Sequence, residues 1–207
     1  MSDSRYEIKF PFHKFQKNKF SYFINNLINL SKIYEERTVN SIYFDCHNRS
    51  SIKDNIIGLS DKNKFRLRWY GNDSYKSNCF IEIKKKKGRS GTKIVIPTNM
   101  TIDKIKLEEV FLPNKKYFDN KNEHYIMDYV KGKILLPKIQ VSYLRKYYLL
   151  NKKIRITYDS NIVYAKLKSQ FKKKDDLQVM ELKFSENDIK YFYQIMKFIP
   201  FTKKRFS

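Results

Sequence analysis

Charged residues recur at every second position in several short segments of this chain, with apolar residues between them. In KFRLRWY, Lys64, Arg66 and Arg68 alternate with apolar neighbours, and Glu82 and Lys84 do the same in FIEIKKKK. Residues two apart lie on one face of a β-strand. Guanidinium groups bind phosphate oxygens through paired hydrogen bonds, and ammonium groups bind them as point charges. The spacing therefore predicts strands with one face able to bind phosphate groups.

Four further segments repeat this alternation, and carboxylates recur among their basic residues. Their charged positions are Arg5, Glu7 and Lys9 in RYEIKF, Arg145 in VSYLR, Lys153, Arg155 and Asp159 in KIRITYD, and Glu181 and Lys183 in VMELKF. A carboxylate surrounded by cations is ionised and can hold Mg²⁺ or Mn²⁺, with phosphate and water as the other ligands. Glu7, Glu82 and Glu181 are therefore candidate metal ligands. The alternative for these three residues is salt bridging to neighbouring strands, and for the arginines it is an exposed strand face.

The elements that must position these residues follow from the periodicity of the apolar residues. We expect strands at about 5–10, 41–45, 64–70, 79–87, 92–97, 139–149, 152–159 and 178–184. Helices are expected at about 15–35, within 101–131, and from Ser185 to about Ile199. Pro97 is expected to end the strand before it, and Ser185 and Asp188 resemble a capping box.

These elements predict an α+β fold with about eight strands, mostly antiparallel. An open sandwich would expose the charged faces to water. We favour a closed antiparallel eight-stranded β-barrel with a polar interior and helices packed outside, because the charged residues recur inside several different strands and the helices are amphipathic. With no internal repeat and no long linker, residues 1–207 are predicted to form a single domain.

Composition limits the classes of partner. The 44 Lys and Arg residues exceed the 21 Asp and Glu residues by 23, which favours nucleic acid, an anionic membrane or a phosphate-rich molecule. A/T-rich coding is an alternative source of surplus lysine, but it does not account for arginines at alternating positions. No Walker A motif occurs, which argues against a P-loop mechanism.

The cellular compartment is predicted from the number and spacing of the cysteines and from the length of the apolar segments. Two cysteines without a C-x-x-C motif argue against a disulfide scaffold or a structural zinc site and fit a reducing compartment. No apolar run reaches the roughly 18 residues of a membrane span. The first residues lack the apolar core of a signal peptide. A soluble, cytoplasmic protein is expected.

Taken in chain order, the motifs resemble those of the triphosphate tunnel metalloenzymes (CYTH-like). The similarity is to the VTC-type branch, which includes the polyphosphate polymerase domain of the vacuolar transporter chaperone complex. The motifs that carry it are RYEIKF, SIYFD, KFRLRWYG, FIEIKKKKG, VSYLRKYY, KIRITYD and VMELKF. The resemblance covers nearly the whole chain. It implies an eight-stranded antiparallel tunnel lined by basic residues, with acidic residues that hold a divalent metal.

The resemblance also implies roles for individual residues. It implies that phosphate is bound by Lys9, Arg66, Arg68, Lys84, Lys93, Arg145 and Arg155. Lys183 and Lys203 complete the set of predicted phosphate ligands. The resemblance implies that the catalytic residues among these are Lys9, Arg66, Arg68, Lys84, Arg145 and Arg155. The metal, Mn²⁺ or Mg²⁺, would be held by Glu181 together with Glu82 and Glu7. The C-terminal TKKRF is only similar to the Ser-Lys-aromatic motif of the family, and the lysine usual before Gly58 is missing near Asn55.

The leading functional prediction is a polyphosphate polymerase that transfers the terminal phosphoryl group of ATP to a growing inorganic polyphosphate chain and releases ADP. Its partners would be ATP and inorganic polyphosphate. The alternatives are a tripolyphosphate or nucleoside triphosphate hydrolase on the same fold, and a non-catalytic binder of polyphosphate or another polyanion. Nucleic-acid binding is disfavoured because Trp69 and most tyrosines fall on the faces opposite the arginines.

Overall fold

The computed structural model of the chain describes residues 5–48, 53, 56–57, 59, 62–72, 77–87, 90–113, 117–167 and 169–204. The strands are β1 Arg5–His13, β2 Leu30–Asp45, β3 Lys62–Tyr70, β4 Asn78–Lys87, β5 Ser90–Thr101, β6 Leu136–Leu150, β7 Ile154–Lys166, β8 Lys172–Lys174 and β9 Leu177–Ser185. The α-helices are α1 Lys17–Asn25, α2 Asn120–Val130 and α3 Ile189–Met196. Among the helices of these described ranges, none is long and apolar enough to cross a bilayer.

The strands form one sheet with the hydrogen-bonded order β1-β9-β7-β6-β2-β3-β4-β5, and β8 pairs with β7. The pairings β1–β9, β9–β7, β2–β3, β3–β4 and β4–β5 are antiparallel. The predicted, mainly antiparallel sheet is therefore confirmed, and its described part has nine strands instead of eight because of the short β8. Within the described residues no hydrogen-bonded pairing joins β1 to β5, the two ends of this order. Closure into a barrel stays a prediction.

The chain divides into two compact units. The terminal unit comprises the described parts of residues 1–37, 143–163 and 174–207, and the central unit those of residues 38–142 and 164–173. The longest strands, β2, β6 and β7, contribute residues to both units. The interpretation of residues 1–207 as a single domain remains a prediction.

The terminal unit buries one face of β1, β9 and β7 beneath α1 and α3. Its core residues include Phe10 of β1, Ile156 of β7 and Met180 of β9. The helices contribute aromatic rings: the Phe20 ring lies 4.2 Å from that of Tyr158. Burial of a large apolar side chain stabilises the fold by roughly 1.5–3 kcal/mol. Because strand side chains alternate, packing of this face leaves the charged residues of the same strands on the opposite face.

The central unit repeats this arrangement with β2, β3 and β4. Ile42, Leu67 and Ile81 lie in its apolar core, and α2 adds Ile126. The ring of Phe111 packs edge-on against Phe44, with 4.9 Å between the centroids. The predicted alternation of apolar and charged residues is confirmed here. Its consequence is that the core strands hold their basic residues in register on the other face of the sheet.

The helix predicted over residues 15–35 is wrong beyond Asn25. Phe20 and Phe23 are buried as the helical pattern requires, but Ile28 is 81% exposed. Asn29 has a left-handed backbone with φ of 59°. Asparagine favours such turns, and the following residues pair as strand β2, which begins at Leu30. The predicted strand at 41–45 is therefore only the last part of a 16-residue strand.

Three further boundaries differ from the prediction. Pro97 does not end its strand: β5 runs on to Thr101. Proline is tolerated in edge strands and at bulges; β5 is last in the strand order, and the register with β4 shifts between Asn78 and Phe80, opposite Pro97. In the described residues, the helical pattern directly after Thr101 forms two 3-10 turns, Ile102–Lys104 and Leu107–Glu109, whereas the helix expected near the end of residues 101–131 is confirmed as α2. The last helix is shorter than predicted, since a 3-10 turn occupies Glu186–Asp188. There the Ser185 hydroxyl donates to the Asp188 carboxylate over 2.6 Å.

Candidate phosphate-binding site

In the central unit, the polar face brings together side chains from four neighbouring strands. Arg66 of β3 is directly opposite Tyr43 of β2 and Glu82 of β4 in the strand register. Arg68 of β3 is opposite Ser41 of β2. We call the following residues the arginine cluster: Ser41, Tyr43, Arg66, Arg68, Glu82 and Lys93. The register follows from burial of the alternate apolar residues, since a slip by one residue would turn the arginines into the core.

Glu82 is the centre of the arginine cluster. Its Oε2 accepts a hydrogen bond of 2.6 Å from Arg66 Nε and lies 3.5 Å from Arg68 Nη1. Its Oε1 lies 2.8 Å from Lys93 Nζ. Burial by itself raises the pKa of Glu82, but the charges of Arg66, Arg68 and Lys93 outweigh burial and lower the pKa to about 2. The carboxylate is therefore ionised at neutral pH. Within this cluster three positive charges face one negative charge, which favours binding of a further anion.

The two arginines are also held from β2. Arg66 Nη1 donates a hydrogen bond of 3.0 Å to the Tyr43 hydroxyl, and Arg68 Nε donates one of 3.1 Å to the Ser41 hydroxyl. Arg68 is only 5% exposed, although it does not belong to the apolar core. A buried guanidinium requires such partners because burial of an unpaired charge is costly. Ser41 and Tyr43 were not among the predicted site residues, although both alternate with Ile42 within SIYFD.

A row of three lysines continues the polar face beyond the arginines. Lys64, Lys84 and Lys93 are opposite one another on β3, β4 and β5. Lys84 and Lys93 are exposed, and Lys64 is half-buried. Like charges directly opposite each other destabilise a sheet, so this lysine row favours a bound anion. Lys64 was missed as a site residue, although it stands two positions before Arg66 in the same alternation.

In the terminal unit, acidic and basic residues alternate on the polar face of β1 and β9. Glu7 is opposite Lys183, and Lys9 is opposite Glu181. The Lys9 ammonium lies 3.4 Å from Glu7 and 3.7 Å from Glu181. The Lys183 ammonium lies 3.4 Å from Glu7 and 2.8 Å from Glu181. We call these four residues the carboxylate cluster. Each ammonium approaches both carboxylates, so the cluster contains two positive and two negative charges.

The carboxylate cluster fits a divalent cation better than the arginine cluster does. Glu181 is 6% exposed, and its Oε1, although close to Lys183, has no hydrogen bond of suitable orientation. No set of three or more His, Cys, Asp or Glu side chains in the described part of the chain is arranged to hold a metal. Mg²⁺ commonly uses one or two protein carboxylates and takes its other ligands from phosphate and water. Glu181 and Glu7 meet this requirement, whereas both oxygens of Glu82 are held by cations.

Arg145 of β6 and Asp159 of β7 form an ion pair in which Asp159 is buried and Arg145 is half-buried. Arg145 Nε and Nη2 each donate a hydrogen bond of 2.6 Å to the Asp159 carboxylate. Burial raises the pKa of Asp159, and the hydrogen bonds from Arg145 oppose this shift. Burial would lower the pKa of Arg145, but its hydrogen bonds to Asp159 raise it well above the usual value. The predicted phosphate ligand Arg145 therefore has a carboxylate partner that the site prediction did not include.

The remaining predicted site residues lie farther from these groups or at more exposed positions. Arg155 is opposite Lys183 in the register but is exposed. Lys203 is exposed in a segment attached to β1, where the Lys204 amide donates to the Lys9 carbonyl over 3.1 Å. Asn55 and Gly58, and also Arg205 and Phe206 of the C-terminal motif, lie outside the described residues.

Solved structures match this chain over nearly its whole length. The PH1819 protein of Pyrococcus horikoshii OT3 has 13% identity and a TM-score of 0.53, covering 98% of this chain and 95% of its own. A candidate adenylate cyclase from Vibrio parahaemolyticus has 9% identity and a TM-score of 0.55, and the match covers 100% of this chain and 96% of the cyclase chain. The candidate adenylyl cyclase HpAC1 of Hippeastrum, described as having a dominant triphosphatase activity, has 12% identity and a TM-score of 0.58, covering 97% and 91%. At these identities the matches show a shared fold.

The family is shown by a comparison with family models. The model of the VTC domain matches residues 4–207. This chain therefore belongs to the VTC domain family, and the resemblance drawn from its motifs is confirmed. A comparison with curated proteins gives no match.

Proposed function

We propose that this chain is a metal-dependent phosphotransferase that extends inorganic polyphosphate with the terminal phosphoryl group of ATP. The observation that carries the proposal is the arginine cluster, in which Arg66, Arg68 and Lys93 surround the single carboxylate of Glu82. This face has excess positive charge and guanidinium groups fixed by neighbouring strands. Membership of the VTC domain family supports the same substrate class. The closed barrel expected from the sequence is part of this proposal.

In the proposed reaction the arginine cluster binds phosphate oxygens. The bond between the γ-phosphorus of ATP and its bridging oxygen breaks, and a bond forms to a terminal oxygen of polyphosphate. ATP and a chain of n phosphates thereby become ADP and a chain of n + 1. Such a transfer depends on positioning and charge stabilisation, with little covalent work for the protein. Arg66 and Arg68 would neutralise negative charge on the phosphates, and the lysine row would bind phosphates farther along the chain.

The carboxylate cluster would have a different part in the reaction. Glu181 and Glu7 would hold Mn²⁺ or Mg²⁺, and the ion would supply positive charge for phosphate oxygens bound there. Lys9 and Lys183, which hold these carboxylates at 2.8–3.7 Å, would also provide ammonium groups for phosphate oxygens. Arg145 would bind phosphate from its fixed position beside Asp159, and Lys84, Arg155 and Lys203 from exposed positions.

A hydrolase is the second candidate function. Water would replace the polyphosphate end as the acceptor, and the same cationic residues would bind the triphosphate. The dominant triphosphatase activity described for the Hippeastrum protein favours this candidate, since its fold is similar. A third candidate, a non-catalytic polyphosphate-binding protein, would need the cationic residues but no metal.

The deciding experiment is an analysis of products. The chain is incubated with ATP and Mn²⁺ or Mg²⁺, with and without a short polyphosphate primer, and the products are separated as ADP, phosphate and polymer. A polymerase yields ADP and chains longer than the primer. Appearance of ADP and phosphate alone would replace the polymerase with the hydrolase. Binding of polyphosphate without ADP formation would leave only the non-catalytic function.

A further inference from the structure

Tyr43 is a polar residue of β2 between two residues of the apolar core. Ile42 and Phe44 are each 3% exposed and pack in the core of the central unit. Tyr43 lies on the other face because strand side chains alternate. There it is directly opposite Arg66 of β3. Its backbone position is therefore determined by packing of its neighbours, and its phenol lies beside Arg66 within the arginine cluster.

The Arg66 guanidinium is held along two edges by different strands. From β4, Oε2 of Glu82 accepts a hydrogen bond from Nε and forms an ion pair with Nη2. From β2, the Tyr43 hydroxyl accepts a hydrogen bond of 3.0 Å from Nη1, and the ring centroid lies 5.8 Å from Cζ. This distance is within the range of a cation–π contact. Two edges held in this way define the plane of the guanidinium.

The electrostatic surroundings strengthen this contact. Burial alone raises the pKa of Tyr43, but the charge and hydrogen bond of Arg66, with the charges of Arg68 and Lys64, outweigh burial and lower the pKa. A phenol oxygen among cations is a good acceptor for a charged donor, and such hydrogen bonds are stronger than neutral ones. Glu82 alone would hold one edge of Arg66 and leave rotation about that edge open.

We propose that Tyr43 is a positioning residue that fixes the plane of Arg66 for phosphate binding. This inference rests on the proposed function, since it requires that Arg66 binds phosphate. A long arginine side chain loses conformational freedom on binding a ligand, and a residue that fixes it beforehand reduces this loss. Tyr43 thus acts through Arg66 and does not itself need to touch the phosphate chain.

The test is a double-mutant cycle measured with inorganic tripolyphosphate by titration calorimetry on the full chain. Tyr43→Phe keeps the ring but removes the hydroxyl, and we expect it to weaken binding about three- to tenfold. In the Arg66→Lys variant, Tyr43→Phe should have almost no effect on tripolyphosphate binding, because lysine lacks the planar guanidinium that Tyr43 orients. Tyr117→Phe is the matched control. Tyr117 is buried in the same unit, and its hydroxyl accepts from the Lys106 amide over 3.2 Å.

The outcomes separate this inference from the proposed function. A wild-type chain that does not bind tripolyphosphate overturns both. If the wild-type chain binds but Tyr43→Phe weakens binding equally in both backgrounds, or no more than Tyr117→Phe does, only the role of Tyr43 is overturned. Thermal unfolding of each variant is measured in parallel. A Tyr43→Phe chain that fails to fold while Tyr117→Phe folds would also overturn the positioning role, since the hydroxyl would then be needed for the fold.

Discussion

The arginine cluster and the carboxylate cluster are built by the same rule but differ in charge balance. In both, strand alternation places charged residues on the face opposite an apolar core. In the arginine cluster one buried carboxylate, Glu82, is held by three cations. In the carboxylate cluster two carboxylates share two lysines, with three of the four contacts at 3.4 Å or longer.

This difference separates two chemical tasks that the sequence pattern does not distinguish. A carboxylate held by several cations at short distance neutralises and orients those cations. A carboxylate with fewer cationic partners and with an oxygen that accepts no hydrogen bond, such as Oε1 of Glu181, can take up a metal ion at smaller cost. We therefore infer that Glu82 organises the arginines, whereas Glu181 is the better metal ligand. Four experiments test or refine this comparison.

The largest effect is expected for Glu82→Gln, measured as the free energy of unfolding in urea between pH 2 and pH 7. The pKa of Glu82 is lowered from 4.5 to about 2 in the folded chain, so its stabilisation is fully present above pH 4.5 and is lost as the pH falls towards 2. The pKa shift corresponds to a contribution of roughly 3 kcal/mol to the free energy of unfolding at pH 7. The difference between wild type and variant should therefore be large at pH 7 and vanish near pH 2.

The matched control for this measurement is Glu35→Gln. Glu35 forms an exposed ion pair with Lys32, and its side chain is 88% exposed. Exposed ion pairs of this kind contribute little to stability. This variant should therefore have the same free energy of unfolding as the wild type at every pH. A difference between wild type and Glu82→Gln that stays constant from pH 7 to pH 2 would contradict the central ionic role of Glu82.

Glu181→Gln tests the carboxylate cluster through metal-dependent turnover. We expect ATP turnover at limiting Mn²⁺ to fall about 10- to 100-fold, as losses at metal sites commonly do. The free energy of unfolding should change little, because Met180 and Leu182 supply the buried apolar contacts of this segment. Glu82→Gln provides the contrast, since it should leave the Mn²⁺ concentration dependence unchanged. Unchanged turnover of Glu181→Gln at limiting Mn²⁺ would assign Glu181 to salt bridging alone.

A smaller effect is expected when single arginines are removed. Arg66→Ala should weaken inhibition of ATP turnover by long polyphosphate about tenfold, because a charge-assisted hydrogen bond from a partly buried donor is lost. Arg155→Ala should also weaken this inhibition, but by less, since Arg155 is exposed. Lys152→Ala, in the turn before β7, removes an exposed positive charge and serves as the control. The prediction fails if all three substitutions weaken inhibition by long polyphosphate to the same extent.

The smallest effect should arise at the lysine row. Lys64→Ala is expected to weaken binding of long polyphosphate about two- to threefold, since contacts of partly exposed charges are weak. Tripolyphosphate binding should remain unchanged, because a short chain needs fewer contacts. Lys85→Ala is the charge-matched control: its ammonium lies over the Tyr129 ring, at 5.9 Å. Equal weakening for tripolyphosphate and long polyphosphate would show that the row does not select for chain length.

Much of the fold could be predicted because alternation is visible in the sequence. The pattern of KFRLRWY predicted both the strand β3 and the face that carries Arg66 and Arg68. The end of α1 could not be predicted in the same way. Residues after Asn25 continue an apolar helical spacing, and only pairing of β2 with other strands shows that they are extended. Tertiary pairing overrode the local helical preference there.

The partners of the site residues were also beyond the sequence pattern. Nothing in the spacing shows that Glu82 meets Lys93, that Arg145 meets Asp159, or that Tyr43 holds Arg66. Each pair joins different strands, and the register between strands is set by packing of the apolar faces. The predicted list therefore contained most of the cationic residues and Glu82, but it missed Lys64 and three further partners of the arginines: Ser41, Tyr43 and Asp159.

The sequence by itself determined which residues share a strand face and that these faces are rich in cations. Both follow from the two-residue repeat of an extended chain, which depends only on local covalent geometry. Tertiary structure alone decided which carboxylate is held by three cations and which carboxylates share two lysines. The cause is that charges act across space, and the distances between residues far apart in sequence are set when the apolar faces of different strands pack together.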